Sequence, residues 1–154
     1  MEIEKKYLTK EIPFSLDGFV CKQISQSYLS FCPTIRIRKS DEQYFLTVKG
    51  KGHIKREEFE MEIAQQEYEH LYEKIEGKEI RKKRFLIPIE NGLSAEVDIY
   101  EGQLEGLMTT EVEFSTIEEA EVFIAPSWFG EDISEDSRYK NTSLSFYGKP
   151  LITE

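Results

Sequence analysis

Apolar and charged side chains alternate along most of this chain. Residues 2–10 place Glu2, Glu4 and Lys6 on one parity. The same two-residue period returns at Thr34–Lys39, Tyr44–Lys51, Lys55–Ile63, Lys82–Ile89, Ser94–Glu101 and Thr110–Phe114. Residues two apart share one face of a strand, so each segment is predicted as β. Three stretches break the period. Phe14, Leu16, Phe19, Val20, Ile24, Tyr28, Leu29 and Phe31 are spaced more like a helix, which predicts one over 14–31 despite Gly18. Gln65–Ile75 sets Tyr68, Leu71, Tyr72 and Ile75 on one stripe, with Gly77 as its C-terminal stop. Thr116 followed by Glu119, ahead of Ala120, Val122 and Phe123, reads as a capping box opening a helix that Pro126 ends. No linker or solenoid repeat divides the chain. The pattern predicts one α+β domain over residues 1–154, rich in antiparallel strands or barrel-like, with helices packed outside.

The polar faces are ionic rather than merely hydrophilic. Arg36 and Arg38 lie opposite Ile35 and Ile37, and Lys49 and Lys51 oppose Leu46 and Val48. Arg56, Glu58, Glu60 and Glu62 oppose Phe59, Met61 and Ile63, while Lys82 and Arg84 pair on another face. Glu96 and Asp98 oppose Ala95, Val97 and Ile99, and Glu111 and Glu113 oppose Val112 and Phe114. Any one such strand fits a sheet with one wet side. Together they weaken that reading, because like charges repeated on one face repel unless something of opposite sign neutralises them. Paired arginines suit phosphate or carboxylate oxygens, and paired carboxylates suit a hard divalent cation. A polyphosphate chelating magnesium or manganese satisfies both. A sheet curled into a closed barrel would gather these faces around a lumen and turn the apolar faces outward.

Composition narrows the partners. The chain has 154 residues, with 30 Asp and Glu against 20 Lys and Arg, for a net charge of −10. That sign opposes non-specific binding to nucleic acid or to an anionic membrane surface. Residues 1–10 are charged with no apolar run behind them, so no secretory signal is expected. No stretch approaches the ~20 apolar residues of a membrane span. Cys21 and Cys32 lack metal-ligand or disulfide-framework spacing and read as free thiols, which places the protein in the cytoplasm. His53 and His70 have no partner at ligand spacing and read as surface residues.

The motifs, in order, resemble one family. Glu2-x-Glu4-x-Lys6 is similar to the ExExK signature of the CYTH superfamily, the triphosphate tunnel metalloenzymes. Arg36-x-Arg38, Thr47-Val48-Lys49-Gly50, Arg56-x-Glu58-x-Glu60, Lys82-x-Arg84, Glu96-Val97-Asp98 and Glu111-Val112-Glu113 continue the likeness. Pro126-Ser127-Trp128-Phe129-Gly130 and Tyr139-Lys140-Asn141 resemble the tail of small bacterial members. The resemblance implies a closed antiparallel barrel of eight strands, a triphosphate tunnel. It implies that Glu2, Glu4, Asp98, Glu111 and Glu113 bind magnesium or manganese. It assigns the phosphates to Lys6, Arg36, Arg38, Lys49, Arg56, Lys82 and Arg84, with Lys51 and Lys83 beside motif positions. Tyr28 and Lys49 align with positions that assist water activation. Glu58, Glu60 and Glu62 read mainly as partners holding the arginines in place.

The activity implied is metal-dependent hydrolysis of a phosphoanhydride bond in inorganic triphosphate. Thiamine triphosphatase, nucleoside triphosphatase, class IV adenylate cyclase and a non-catalytic polyphosphate-binding module are the alternatives. A small-molecule triphosphate is the expected partner, with neither nucleic acid nor membrane. Exposed aromatics in Ser143–Tyr147 suggest a homodimer contact.

Overall fold

The computed structural model describes residues 1–150. Ten strands form one sheet: β1 Glu2–Thr9, β2 Val20–Phe31, β3 Thr34–Ser40, β4 Gln43–Lys49, β5 Lys55–Arg56, β6 Glu58–Ile63, β7 Glu76–Pro88, β8 Ser94–Tyr100, β9 Met108–Glu113 and β10 Phe129–Asp132. Three helices accompany them: α1 Gln65–Tyr72, α2 Ile117–Val122 and α3 Asn141–Tyr147. The strands follow the order β10-β1-β9-β8-β7-β2-β3-β4-β6, and β5 pairs with β1.

That last pairing bends the sheet into a barrel. β5 and β6 are one strand interrupted at Glu57: β6 pairs with β4, and β5 pairs with β1 through Glu2↔Arg56 and Ile3↔Lys55. The Glu4 N–H donates to the Ile54 carbonyl at 3.0 Å, and the Gly50 N–H donates to the Glu57 carbonyl at 2.8 Å. Both bonds carry the ladder across the interruption. Tyr7 faces Thr110 of β9 on one edge of β1 and Asp132 of β10 on the other. β10 therefore extends the edge that β5 begins. The expected eight strands become ten because one wall strand is split and β10 is added; the antiparallel barrel with helices outside is as expected.

The apolar parity faces outward for most of the wall. Ile3, Tyr7, Val97, Val112 and Phe114 pack under Ala120 of α2 and under Trp128 and Phe129. Ile37 and Ile63 pack under Tyr68 of α1. One end differs. Ile80 and Tyr100 share the strand parity of Lys82 and Asp98, yet they pack with Tyr28, Leu104, Leu107, Ile133, Tyr139 and Leu144. An apolar plug brought by the C-terminal segment thus fills the lumen side there.

The helix expected over 14–31 does not form. Residues 10–19 cross the outside of the wall, where Ile12, Leu16 and Phe19 join the apolar cluster around Trp128. Val20–Phe31 is a strand whose register slips around Tyr28 against both neighbours. A bulge adds a residue and flips the inward parity, so its apolar positions lose the two-residue period. Gly77 does not stop α1, which ends at Tyr72; it lies in β7 with φ +69°. A Cβ there would sit 2.8 Å from Ser145 Oγ of α3, so glycine admits that helix. At α2 the Thr116 hydroxyl accepts from the Glu119 N–H at 3.1 Å, as expected of a cap. The returning Glu119 carboxylate accepts from Ser115 rather than from Thr116.

Barrel closure puts one turn under constraint. Gly52 has φ +132°, and a Cβ would run into the Lys55 carbonyl. Gly52→Ala is expected to cost about 2 kcal/mol, seen as a lower urea midpoint at unchanged m-value.

Candidate functional site

The inward parity meets in one cavity of about 980 Å³. Glu2, Glu4 and Lys6 reach it from β1, Arg36 and Arg38 from β3, Lys49 from β4 and Arg56 from β5. Glu58 and Glu60 come from β6, Arg84 from β7, Glu96 from β8, and Glu111 and Glu113 from β9. Strand alternation explains the convergence: these residues sit two apart on walls that curve around a common axis. Tyr28 lines the same cavity. Lys82 and Asp98 do not; both side chains are fully buried in the wall beneath it. Lys51 stands exposed at the rim, and Lys83 points to solvent.

Asp98 anchors the wall. Arg84 donates through Nε to Oδ1 at 2.8 Å and through Nη2 to Oδ2 at 2.9 Å, and Lys82 Nζ lies 2.7 Å from Oδ2. Burial alone would raise this carboxyl, but Arg84 and Lys82 hold it well below the usual carboxylate range. Both of its oxygens are therefore occupied by protein cations. Burial pushes the Lys82 amine down to about 7 against the pull of Asp98, and the amine lies 5.3 Å from the centre of the Tyr100 ring. Arg84 also reaches Glu96 at 3.1 Å.

The other cations are less fully compensated. Lys49 Nζ lies 3.2 Å from Glu2 Oε1, and Arg56 Nε lies 3.3 Å from the same oxygen. Lys6 is 3.8 Å from Glu111, and Arg36 is 3.6 Å from Glu60. Arg36 Nη2 donates to Thr47 Oγ1 at 3.1 Å, while its Nε is buried without a hydrogen-bond partner among the described residues. Arg38 has no ion pair among the described residues; it donates twice to the Gln26 side-chain oxygen, at 3.2 and 2.9 Å. Desolvation, then Arg36 and Arg84, push the Arg38 guanidinium down to about 9. Burial and Arg36 lower Lys49, against Glu2 and Glu4.

The carboxylates divide in the opposite way. Burial, then Glu111 and Glu2, raise Glu4 well above its ordinary value. Glu111 is held down to about 2, because Lys6 and Arg84 outweigh its burial. Glu2 is lowered: Lys49, a hydrogen bond from Glu58 and Arg56 overcome burial. Glu58 rises to about 7 through burial and its bond to Glu2, and Glu113 is raised by burial, Glu2 and Glu96. Burial raises Tyr28 as well, so its phenol keeps its proton; its oxygen accepts from Gln26 Nε2 at 2.9 Å.

Several contributors escape the motif reading. Gln26 is fully buried and bridges Arg38 to Tyr28, and Thr47 links Arg36 to Glu60, donating to Glu60 at 2.9 Å. Gln26 becomes legible only once 20–31 is read as a strand, where it shares parity with Ile24 and Tyr28. Ser134, Asp136, Tyr139, Lys140 and Asn141 line the rim from the C-terminal segment. The Tyr139 carbonyl accepts from Lys6 Nζ at 2.7 Å.

Known proteins are similar to this chain in sequence and fold. No family model matches the chain. The inorganic triphosphatase of Nitrosomonas europaea is 38% identical over 149 residues, covering 94% of this chain and 96% of that protein. The inorganic triphosphatase of Acetivibrio thermocellus is 34% identical over 146 residues, covering 93% and 92%. A crystal structure of an inorganic triphosphatase superposes with a TM-score of 0.72 at 33% identity, covering 97% of each chain.

Asp98→Asn leaves buried Lys82 without its counter-charge and Arg84 with only Glu96. The expected cost is about 3–5 kcal/mol at neutral pH by urea denaturation. A depressed carboxyl contributes stability fully above its unfolded value near 3.8 and loses it as pH falls towards the folded value. The difference between Asp98→Asn and the parent should therefore shrink below about pH 4.

Proposed function

The chain belongs to the triphosphate tunnel (CYTH) family of its inorganic triphosphatase relatives, and on that premise we propose that it hydrolyses inorganic triphosphate with the help of a divalent metal ion. One observation carries the reading. Lys6, Arg36, Arg38, Lys49, Arg56 and Arg84 converge from five strands on one cavity, with Arg36 Nε unpaired and Arg38 held only by a neutral amide. Unspent guanidinium donors in a shielded space call for an oxyanion, and a linear triphosphate offers enough oxygens to meet them.

The acidic side of the lumen fits magnesium or manganese. Burial and the neighbouring charges of Glu111 and Glu2 raise Glu4, a condition that a nearby hard cation would relieve. Among the described residues no three acidic, histidine or cysteine side chains form a ready-made cage. Magnesium is commonly held by one or two carboxylates with the phosphates completing its shell. Glu2, Glu4, Glu111 and Glu113 would hold the ion. When bound, it would neutralise charge on the phosphate oxygens and polarise the phosphorus. Asp98 is assigned to orienting Arg84, and Lys82 to holding Asp98, rather than to metal or phosphate contact.

The protein's own work is positioning and charge. The lumen cations grip the non-bridging oxygens and hold the chain extended. A water attacks the terminal phosphorus in line; its oxygen–phosphorus bond forms as the bond to the bridging oxygen breaks, and pyrophosphate departs. Burial and Arg36 favour the neutral form of Lys49, and in that form its amine would accept the water's proton. Tyr28, still protonated, donates to a phosphate oxygen. Cys21 and Cys32 are exposed free thiols, which supports a reducing, cytoplasmic setting.

A phosphate-release panel tests the reading. Tripolyphosphate should be hydrolysed with at least roughly tenfold higher kcat/KM than ATP, thiamine triphosphate or pyrophosphate. Exhaustive chelation should abolish turnover, and magnesium or manganese should restore it; turnover that survives chelation removes the metal from the proposal. Arg38→Ala should lower kcat/KM by about 10²-fold with an unchanged melting temperature.

A further inference from the structure

The lumen continues past the large cavity. A second cavity of about 240 Å³ shares Arg38, Glu60, Arg84 and Glu96 with the first. These come from β3, β6, β7 and β8, so they meet across the lumen as a septum. Arg84 and Glu96 pair with each other at 3.1 Å, while Thr47 holds Glu60 at 2.9 Å and Gln26 holds Arg38 at 2.9 Å.

The strands give the two cavities an order. Along β3, Thr34 and Arg36 line the large cavity, Arg38 lines both, and Ser40 lines the small one. Along β4, Phe45 belongs to the small cavity and Lys49 to the large; along β2, Lys22 belongs to the small and Tyr28 to the large. The small cavity therefore opens at the ends of β2–β4 remote from the rim at Gly50–His53. Lys22, exposed and without an ion pair among the described residues, stands at this second opening.

Size and charge select what passes. One water occupies about 30 Å³ in the liquid, so the small cavity has room for a single tetrahedral oxyanion with a few waters. Glu60 and Glu96 would repel a longer polyanion pushed between them. Arg38 belongs to both cavities and carries no protein counter-charge within salt-bridge distance among the described residues, so it can hold an anion on either side.

We propose that the small cavity binds the orthophosphate product and releases it past Lys22, at the opposite end of the lumen from the mouth that admits the triphosphate. The inference rests on the hydrolysis proposed above. In-line cleavage of a chain whose terminal phosphoryl abuts the septum leaves orthophosphate at Arg38, with pyrophosphate between it and the large mouth. A route through the septum lets the two products leave independently.

Two variants at residues that line the small cavity and not the large one test this. Ser40→Trp fills the small cavity, and Lys22→Glu reverses the charge at its exposed rim. Each is assayed with tripolyphosphate and metal by rapid quench under single-turnover conditions and in the steady state. The single-turnover rate should equal the parent's, while steady-state kcat falls roughly tenfold in Ser40→Trp and several-fold in Lys22→Glu, with a burst of acid-quenched orthophosphate. Parental kcat in both variants overturns the second exit. A single-turnover rate that falls in step with kcat also overturns it, because the cavity then acts on chemistry. A parent protein that releases no phosphate from tripolyphosphate refutes the hydrolysis itself, a result read before either variant is made.

Discussion

Charges enclosed by a barrel have lost their water and must be neutralised by one another or by a ligand. That constraint organises this molecule. Where Arg84 and Lys82 close on Asp98, at 2.7–2.9 Å, the counter-charge is internal, although Lys82 Nζ has no hydrogen bond of good geometry among the described residues. The cluster lies in the wall between the ionic cavity and the apolar plug around Tyr100, so it fixes the floor on which the cavity stands. Its value is positional: a guanidinium held by two parallel bonds presents its remaining N–H groups in a fixed direction.

Above that floor, neutralisation is deliberately incomplete. Glu2 is shared between Lys49 and Arg56, Lys6 reaches Glu111 only at 3.8 Å, and Arg38 leans on an amide. Acidic groups crowd on one side, where Glu4 and Glu113 are raised, and basic groups crowd on the other, where Arg38 and Lys49 are lowered. Cross-pairs such as Lys49–Glu2 and Lys6–Glu111 offset part of this crowding and leave the rest uncompensated. A bound metal–polyphosphate complex, as proposed, would bring a cation to the carboxylates and an anion to the arginines. The energetic cost is offset by the two outer cores and by the C-terminal plug.

Strand faces were legible wherever the period held. Glu2/Glu4/Lys6, Arg36/Arg38 and Glu111/Glu113 could be placed on shared faces from their spacing, and all of them line the cavity. β2 was not legible, because its bulge at Tyr28 breaks the parity and its Ile24–Tyr28 spacing imitates a helical turn. Gln26 went with it, since a lone polar residue inside a supposed helix carries no sign of a lumen role. The contribution of residues 133–142 was hidden for a different reason. Tyr139 acts through its backbone carbonyl, and a carbonyl has no identity in a sequence.

The sequence by itself determined which side chains share a wall, because alternation along a strand is a local property of the backbone. It also determined the ionic character of the inward face and the two signs of its charge pairs. Only the tertiary structure decided which charges meet. Asp98 and Glu111 carry similar carboxylates two strand positions from similar neighbours, yet Asp98 is locked between Arg84 and Lys82 while Glu111 faces the cavity. Strand tilt and closure through Lys55–Arg56 set those distances. Electrostatic interaction depends on separation in space and on the water between the charges, and neither quantity exists until the barrel has closed.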